Sequence, residues 1–218
     1  MTLETKPEKS PMIENTPKLT LAKSPLLLDL ACGQNVKQGF EGVDLWAPNA
    51  THKVDLMKFP WPFENDSCSE LHCSHFIEHI PLRNVETRDI IDAKGDIYFD
   101  EDMLFAFFDE CYRILRFDGT MLVICPSVRN ERAFQDPTHR RFITQATFFY
   151  LDNDWRKANG LDHYKVHSSW LGNVNFSMMQ ETALLHPEAQ QRKFISDWNV
   201  IFDYNAVLKP KKEAPKKA

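Results

Sequence analysis

A short unbroken apolar run, Leu26-Leu27-Leu28-Asp29-Leu30, passes straight into Ala31-Cys32-Gly33. Near-continuous apolar character over so short a stretch is what a strand needs when both of its faces are covered, as in a parallel sheet flanked by helices. A glycine just beyond such a strand lets the backbone turn and approach a ligand closely, because no Cβ intervenes. Together these features select the α/β class and direct attention to the residues that follow each strand, where ligands of open parallel sheets bind.

The rest of the chain extends that plan. Phe40-Glu41-Gly42-Val43-Asp44 predicts a second strand ending in a carboxylate, and His52-Lys53-Val54-Asp55 a third, shorter one. Ser69–Ser74 predicts a fourth, after the turn cluster Glu64-Asn65-Asp66-Ser67. Over residues 101–116 the positions Leu104, Phe107, Phe108, Cys111, Ile114 and Leu115 recur at helical spacing. Asp100, Glu101 and Asp102 at the start and Arg113 and Arg116 near the end complement the helix dipole. Asp118-Gly119 reads as a turn and Thr120–Cys125 as a buried strand stopped by Pro126. His167–Met179 and Trp198–Leu208 lack a helical period and carry aromatic and β-branched residues, which predicts an antiparallel pair at the sheet edge.

Both ends read as tails. Residues 1–23 place Pro7, Pro11 and Pro17 among charged and polar side chains, a composition that cannot bury enough apolar surface to offset ordering entropy. Residues 209–218 form a Lys-rich block of the solvated kind, which leaves one domain over residues 24–208. The net charge of −5 divides unevenly: +1 on residues 1–23, +4 on residues 209–218 and therefore −10 on the body. An acidic body repels phosphate backbones, which argues against a nucleic acid held on the domain. The five cysteines form no C-x-x-C pair, the pattern of free thiols in a reducing compartment. With no secretory h-region and no apolar run near the roughly 18 residues of a membrane span, the sequence points to the cytoplasm.

The strand ends carry polar groups in a telling order. Asp29-Leu30-Ala31-Cys32-Gly33 follows the first strand, Asp44 with Leu45 closes the second, Asp55-Leu56 follows the third, and Ser74-His75 the fourth. Such an array suits a nucleoside, since an acid at the second strand end can accept hydrogen bonds from ribose hydroxyls. The chain resembles the class I S-adenosylmethionine-dependent methyltransferases, in particular their small type 11-like subgroup. The match runs through Leu28-Asp29-Leu30-Ala31-Cys32-Gly33, Gly39-Phe40-Glu41-Gly42-Val43-Asp44, Asp55–Phe63, Ser74-His75-Phe76-Ile77-Glu78-His79-Ile80 and Cys111–Gly119. It extends to Asp136-Pro137-Thr138-His139-Arg140-Arg141-Phe142, and spans roughly residues 26–152.

The resemblance implies a Rossmann-like methyltransferase fold: a mostly parallel central sheet, a C-terminal antiparallel edge pair and flanking helices. It implies S-adenosyl-L-methionine as cofactor. Asp29, Ala31 and Gly33 would frame the methionine end, Asp44 and Leu45 the ribose, Asp55 and Leu56 the adenine, and Ser74 and His75 the reaction side. Two departures stand out: Ala31 replaces the usual glycine before the cysteine, and Gln34-Asn35 replaces the second loop glycine. Asn35 would be the residue best able to take the left-handed conformation there. The short stretch from Gly33 to Phe40 leaves little room for a first helix.

A sulfonium methyl is already electrophilic, so acceleration comes mainly from holding the acceptor in line. His75, His79 and His139 are candidate bases, His75 and His139 foremost, with Glu78 and Asp136 as carboxylate options; His139 lies in a basic stretch with Arg140 and Arg141 that suits either an anionic or sugar-like acceptor or pairing with the acidic body. The acceptor expected is a small molecule or a glycan. His75, Glu78 and His79 spell the H-x-x-E-H order of inverted zinc peptidases, but the strand-end logic already accounts for them and no metal is expected. Trp46, Trp61 and Phe76 could stack on adenine. A nucleic-acid methyltransferase would carry a D/N-P-P-Y/F motif, which adjacent prolines would reveal and the chain lacks. A nicotinamide enzyme would carry G-x-G-x-x-G, also lacking. A cofactor-binding protein with altered catalysis remains the other alternative.

Overall fold

In the computed structural model, residues 24–82, 90–91, 97–98, 102–178 and 183–214 are described. The stretch 1–23 expected to be a tail, and most of the connection from 83 to 101, lie outside the described residues. The fold is α/β. Strands β1 (Leu26–Leu30), β2 (Glu41–Val43), β3 (Cys68–Ser74), β6 (Leu115–Pro126), β7 (Trp170–Met178) and β8 (Ile201–Pro210) form one sheet in the order β2-β1-β3-β6-β8-β7. A separate two-stranded piece joins β4 (Ile90–Ile91) to β5 (Ile97–Tyr98). Pairings from β2 through β6 are parallel, whereas β8 runs antiparallel to both β6 and β7. The expected edge pair is present.

One face of the sheet is dry. Leu28, Leu30, Leu71, Cys73, Met121, Val123, Ala206 and Leu208 point into a single core. Helix α1 (Met103–Ile114) contributes Leu104, Phe107, Phe108, Cys111 and Ile114 to the same core. Its first turn is capped by the Asp102 side chain, which accepts from the Leu104 N–H at 2.8 Å. On the opposite face His72, Leu122, Ile124 and Val207 are only half-buried. The remaining described helices are α2 (Arg132–Gln135), α3 (Asn153–Ala158) and α4 (Pro187–Ser196).

The third strand does not form. Its only ladder contact is the bridge between Val43 and His52, because Asp55 immediately turns back to accept from the Met57 N–H at 3.0 Å. The Asp118-Gly119 turn sits inside β6 as an excursion: Leu115 pairs with Cys68 and Thr120 with Glu70, leaving residues 116–119 outside the ladder. The lysine block is not wholly solvated. Strand β8 runs on to Pro210, Lys211 bridges Asp152 at 2.6 Å and Asp154 at 2.8 Å, and Lys212 bridges Asp66 at 2.6 Å. Lys211 and Lys212, expected in a tail, are thus held by acidic side chains of the body.

Candidate cofactor rim and acceptor cavity

Strand β1 has β2 on one side and β3 on the other, so the order in which strands are added reverses at β1 while the strands stay parallel. That switch point is where open α/β sheets bind ligands. The loop leaving β1 is shaped by two left-handed residues, Ala31 (φ +54°) and Gly33 (φ +54°). Asn35 does not supply this conformation; Ala31 does, at the position where the resembling family has glycine. The loop lies flat on β2, since a Cβ at Gly42 would fall 2.8 Å from Cys32 Sγ and from Val36.

This packing brings the loop to Asp44. Its Oδ2 accepts from the Gly33 N–H at 3.1 Å, and its Oδ1 from the N–H groups of Trp46 (2.7 Å) and Ala47 (2.8 Å). Burial alone would raise the Asp44 carboxyl, but the backbone donors of Ala47, Trp46 and Gly33, with the charge of Lys53, outweigh it and hold it below the usual value. Asp29 is buried and accepts from the Lys37 N–H at 2.7 Å while lying 2.6 Å from His72 Nδ1. It fastens the loop to β3. Leu45 is exposed beside Asp44, and the Leu56 side chain is in the core, so only its backbone is available to a ligand. Of the aromatic candidates, Trp46 is exposed, Trp61 is buried against Phe107, and Phe76 packs on the same ring.

The second part of the site follows β3. Ser74 is half-buried at the strand end. His75 next to it is left-handed (φ +53°), an unusual conformation for a side chain of its size. Its Nδ1 lies 3.4 Å from Glu78 Oε1 and its Nε2 3.9 Å from Asp203 Oδ1. The Glu78 contact, aided by the Asp203 charge and opposed by burial and Arg132, holds the imidazole above its usual value. Ile77–His79 form one 3-10 turn.

The Asp136–Arg141 stretch docks on that turn. The N–H groups of Arg140 (2.7 Å) and Arg141 (3.0 Å) both donate to the Glu78 carbonyl. The Arg141 guanidinium donates to the carbonyls of Ile80 (2.8 Å) and Pro81 (2.7 Å) and pairs with Asp102 at 3.0 Å. Arg141 is thus a strut, and its fork is committed to the protein itself. Docking places His139 beside His79, with ring centroids 4.6 Å apart.

The result is a cavity of about 180 Å³ whose lining includes His75, Glu78, His79, Arg132, Asp136 and His139. Sequence reasoning missed Arg132 and Asp203, which pair at 3.4 Å. They come from elements distant in the chain and carry no local signature. A larger cavity of about 330 Å³ lies at the other end of the sheet. Its charged side chains are committed to structure: Lys212 to Asp66, and Asp109 to the N–H groups of His167 and Ser168.

No family model and no curated protein matches the chain. Solved structures do. A SAM-dependent methyltransferase from Archaeoglobus fulgidus is 16% identical, with 85% of this chain and 86% of that one covered at a TM-score of 0.54. The YcgJ protein from Bacillus subtilis is 13% identical over 87% of this chain and 93% of that one, with a TM-score of 0.47. A geranyl diphosphate methyltransferase in complex with SAM is 13% identical over 85% of this chain and 77% of that one, with a TM-score of 0.46. The first likeness is one of overall structure, and it shows that this chain has the Rossmann-like fold of the class I methyltransferases.

Proposed function

We propose that the chain binds S-adenosyl-L-methionine along the ends of β1 and β2 and transfers its methyl group to a small-molecule or glycan-type acceptor. The observation that carries this reading is the placement of Asp44. A carboxylate offers about four acceptor positions and three are filled by backbone donors, so it is rigidly held with capacity left for a ribose hydroxyl. The left-handed turn at Ala31 and Gly33 keeps bulky side chains off the same rim.

When bound, S-adenosyl-L-methionine supplies an electrophilic methyl that needs no activation. The protein's work is orientation. Ala31 and Gly33 frame the methionine end, with Asp29 bracing the loop from behind, Asp44 holds the ribose, and Asp55 with the Leu56 backbone closes the adenine end. Ser74, His75 and His139 face the acceptor side, where Arg132 adds a positive charge. His75, held toward its protonated form by Glu78, serves there as a donor to the acceptor or cofactor. The charge of −10 on residues 24–208 favours an acceptor other than nucleic acid. The free cysteines suit a reducing compartment such as the cytoplasm, and no described helix is long and apolar enough to cross a membrane.

Calorimetry with S-adenosylmethionine, S-adenosylhomocysteine and NAD tests the reading. Both adenosyl ligands should bind, and Asp44→Ala should weaken them about a hundredfold, the size of two lost charge-assisted hydrogen bonds. Binding of NAD alone would refute it. A labelled-methyl screen of hydroxylated small molecules and glycans then identifies the acceptor.

A further inference from the structure

Beside the rim is a cluster with one feature that methyl transfer does not explain. Glu78 is 1% exposed, and neither of its carboxylate oxygens has a hydrogen-bond partner. The His75 contact at 3.4 Å is too long to be a strong hydrogen bond. A carboxylate taken from water without donors is costly unless a cation sits against it.

Two imidazoles converge on the same place in a defined protonation pattern. The Thr138 hydroxyl donates to Asp136 Oδ1 at 2.7 Å, so its oxygen accepts from His79 Nδ1 at 3.0 Å. His139 Nδ1 lies 2.8 Å from the Ala133 carbonyl, which can only accept. Both rings therefore carry their proton on Nδ1, leaving the Nε2 lone pair free. An outer N–H fixed on a carbonyl or a carboxylate-backed hydroxyl, with the other nitrogen free, is how metal-binding histidines are oriented. One ligand atom from each of Glu78, His79 and His139 lies within 4.8 Å of the other two.

We propose that Glu78, His79 and His139 form a site for a divalent transition metal of the zinc type, with at least one coordination position open to the cavity they line. Two imidazoles and one carboxylate are borderline ligands, which select zinc and its transition-metal neighbours over magnesium or calcium, whose sites are built from oxygens. Ligand atoms bound to tetrahedral zinc at about 2.1 Å lie roughly 3.4 Å apart. A pair at the 4.8 Å limit closes by roughly 1.4 Å, a movement within reach of the half-buried imidazoles. The backbone is already fixed by the two N–H bonds to the Glu78 carbonyl.

The charge around the cavity agrees. Glu78 and Asp136 line it and Asp203 stands behind it, against the single guanidinium of Arg132. A volume of about 180 Å³ is below the roughly 300 Å³ of ordinary small-molecule pockets, and suits a metal carrying water or one oxygen donor. The site departs from the expectation of no metal and from the H-x-x-E-H pairing as well. His75 lines the same cavity, but the ligand atoms that converge are those of Glu78, His79 and His139, so the second imidazole comes from residue 139.

The full chain, stripped with a chelator, is titrated with Zn²⁺ against a chromophoric competitor. One equivalent should bind with Kd near 1 μM or tighter. Glu78→Gln, His79→Ala and His139→Ala should each weaken it about a hundredfold, since loss of an outer partner alone costs 10–100-fold. His186→Ala, an exposed position, should change nothing. Thermal melts check the folding of each variant, and Co²⁺ in the unmutated protein should give the visible absorption of a four- or five-coordinate ion. Zn²⁺ binding no tighter than in the His79→Ala/His139→Ala double variant, a preference for Mg²⁺, or absence of the Co²⁺ band would overturn the proposal. S-adenosylhomocysteine binding measured on the same samples reports the cofactor reading separately, because the metal site does not rest on it.

Discussion

Two carboxylates stand beyond the ends of β2 and β3, on either side of β1, and the protein treats them in opposite ways. Asp44 is half-buried and receives three backbone N–H bonds, two of them from the turn that it nucleates itself. Glu78 is almost wholly buried and receives none. The first arrangement stabilises the fold and aligns the carboxylate in advance. The second costs stability, and the His75 imidazole 3.4 Å away relieves it only in part. Within one rim, then, satisfied charge marks where the chain holds its own shape, and unsatisfied charge marks where it waits for a ligand.

The contrast can be broken by mutation. In metal-free protein, Asp44→Ala should lower the unfolding free energy by about 2 kcal/mol, since three donors lose their acceptor and water restores only part of it. Glu78→Gln, which trades a buried charge for a neutral amide, should leave stability unchanged or raised. Denaturant melts that ranked the two the other way would remove the distinction. Acid sharpens it. The Asp44 carboxyl is held below its usual value, so its contribution is complete above the unfolded value of about 3.9 and is lost as pH falls through the lower folded one. Denaturant midpoints from pH 5 down to 2 should fall more steeply in the wild type than in Asp44→Asn. The smallest effect concerns the loop that feeds Asp44. Gly33→Ala should cost about 1 kcal/mol from backbone conformation alone, because a Cβ there meets nothing within 4 Å. Ala31→Gly should return somewhat less than 1 kcal/mol, the relief being offset by greater freedom in the unfolded chain.

Strands with strong local patterning were legible. The Ser69–Ser74 strand after its turn cluster, the apolar run Thr120–Cys125, the helical period through Leu104, Phe107, Cys111 and Ile114, and the edge pair all appear within a few residues of expectation. His52–Asp55 failed because charge, length and an aspartate turn outweighed its one buried valine. The Asp55–Phe63 motif looked like cofactor chemistry, yet much of it is held structurally. Glu110 accepts from the Trp61 N–H at 2.6 Å, and Arg113 donates to the Phe63 carbonyl at 2.8 Å. Arg141, open in sequence to an anionic acceptor or to the acidic body, takes the second course: it pairs with Asp102 and donates to carbonyls. A motif records which residues occur together and leaves open whether they face a ligand or one another. The meeting of His79 with His139 was invisible because it depends on main-chain bonds across 60 residues of sequence, which no periodicity encodes.

Those bonds have a mechanical consequence. With a single carbonyl at residue 78 gripped by two successive amides, and the Arg141 side chain fastened one turn further along, the segment 136–141 and the turn that leaves β3 form one rigid plate. A bulky guest could not enter by nudging individual side chains aside. Admission would require the plate to swing as a whole, so the rate of opening, rather than the fit of any one group, would set how fast the chamber fills.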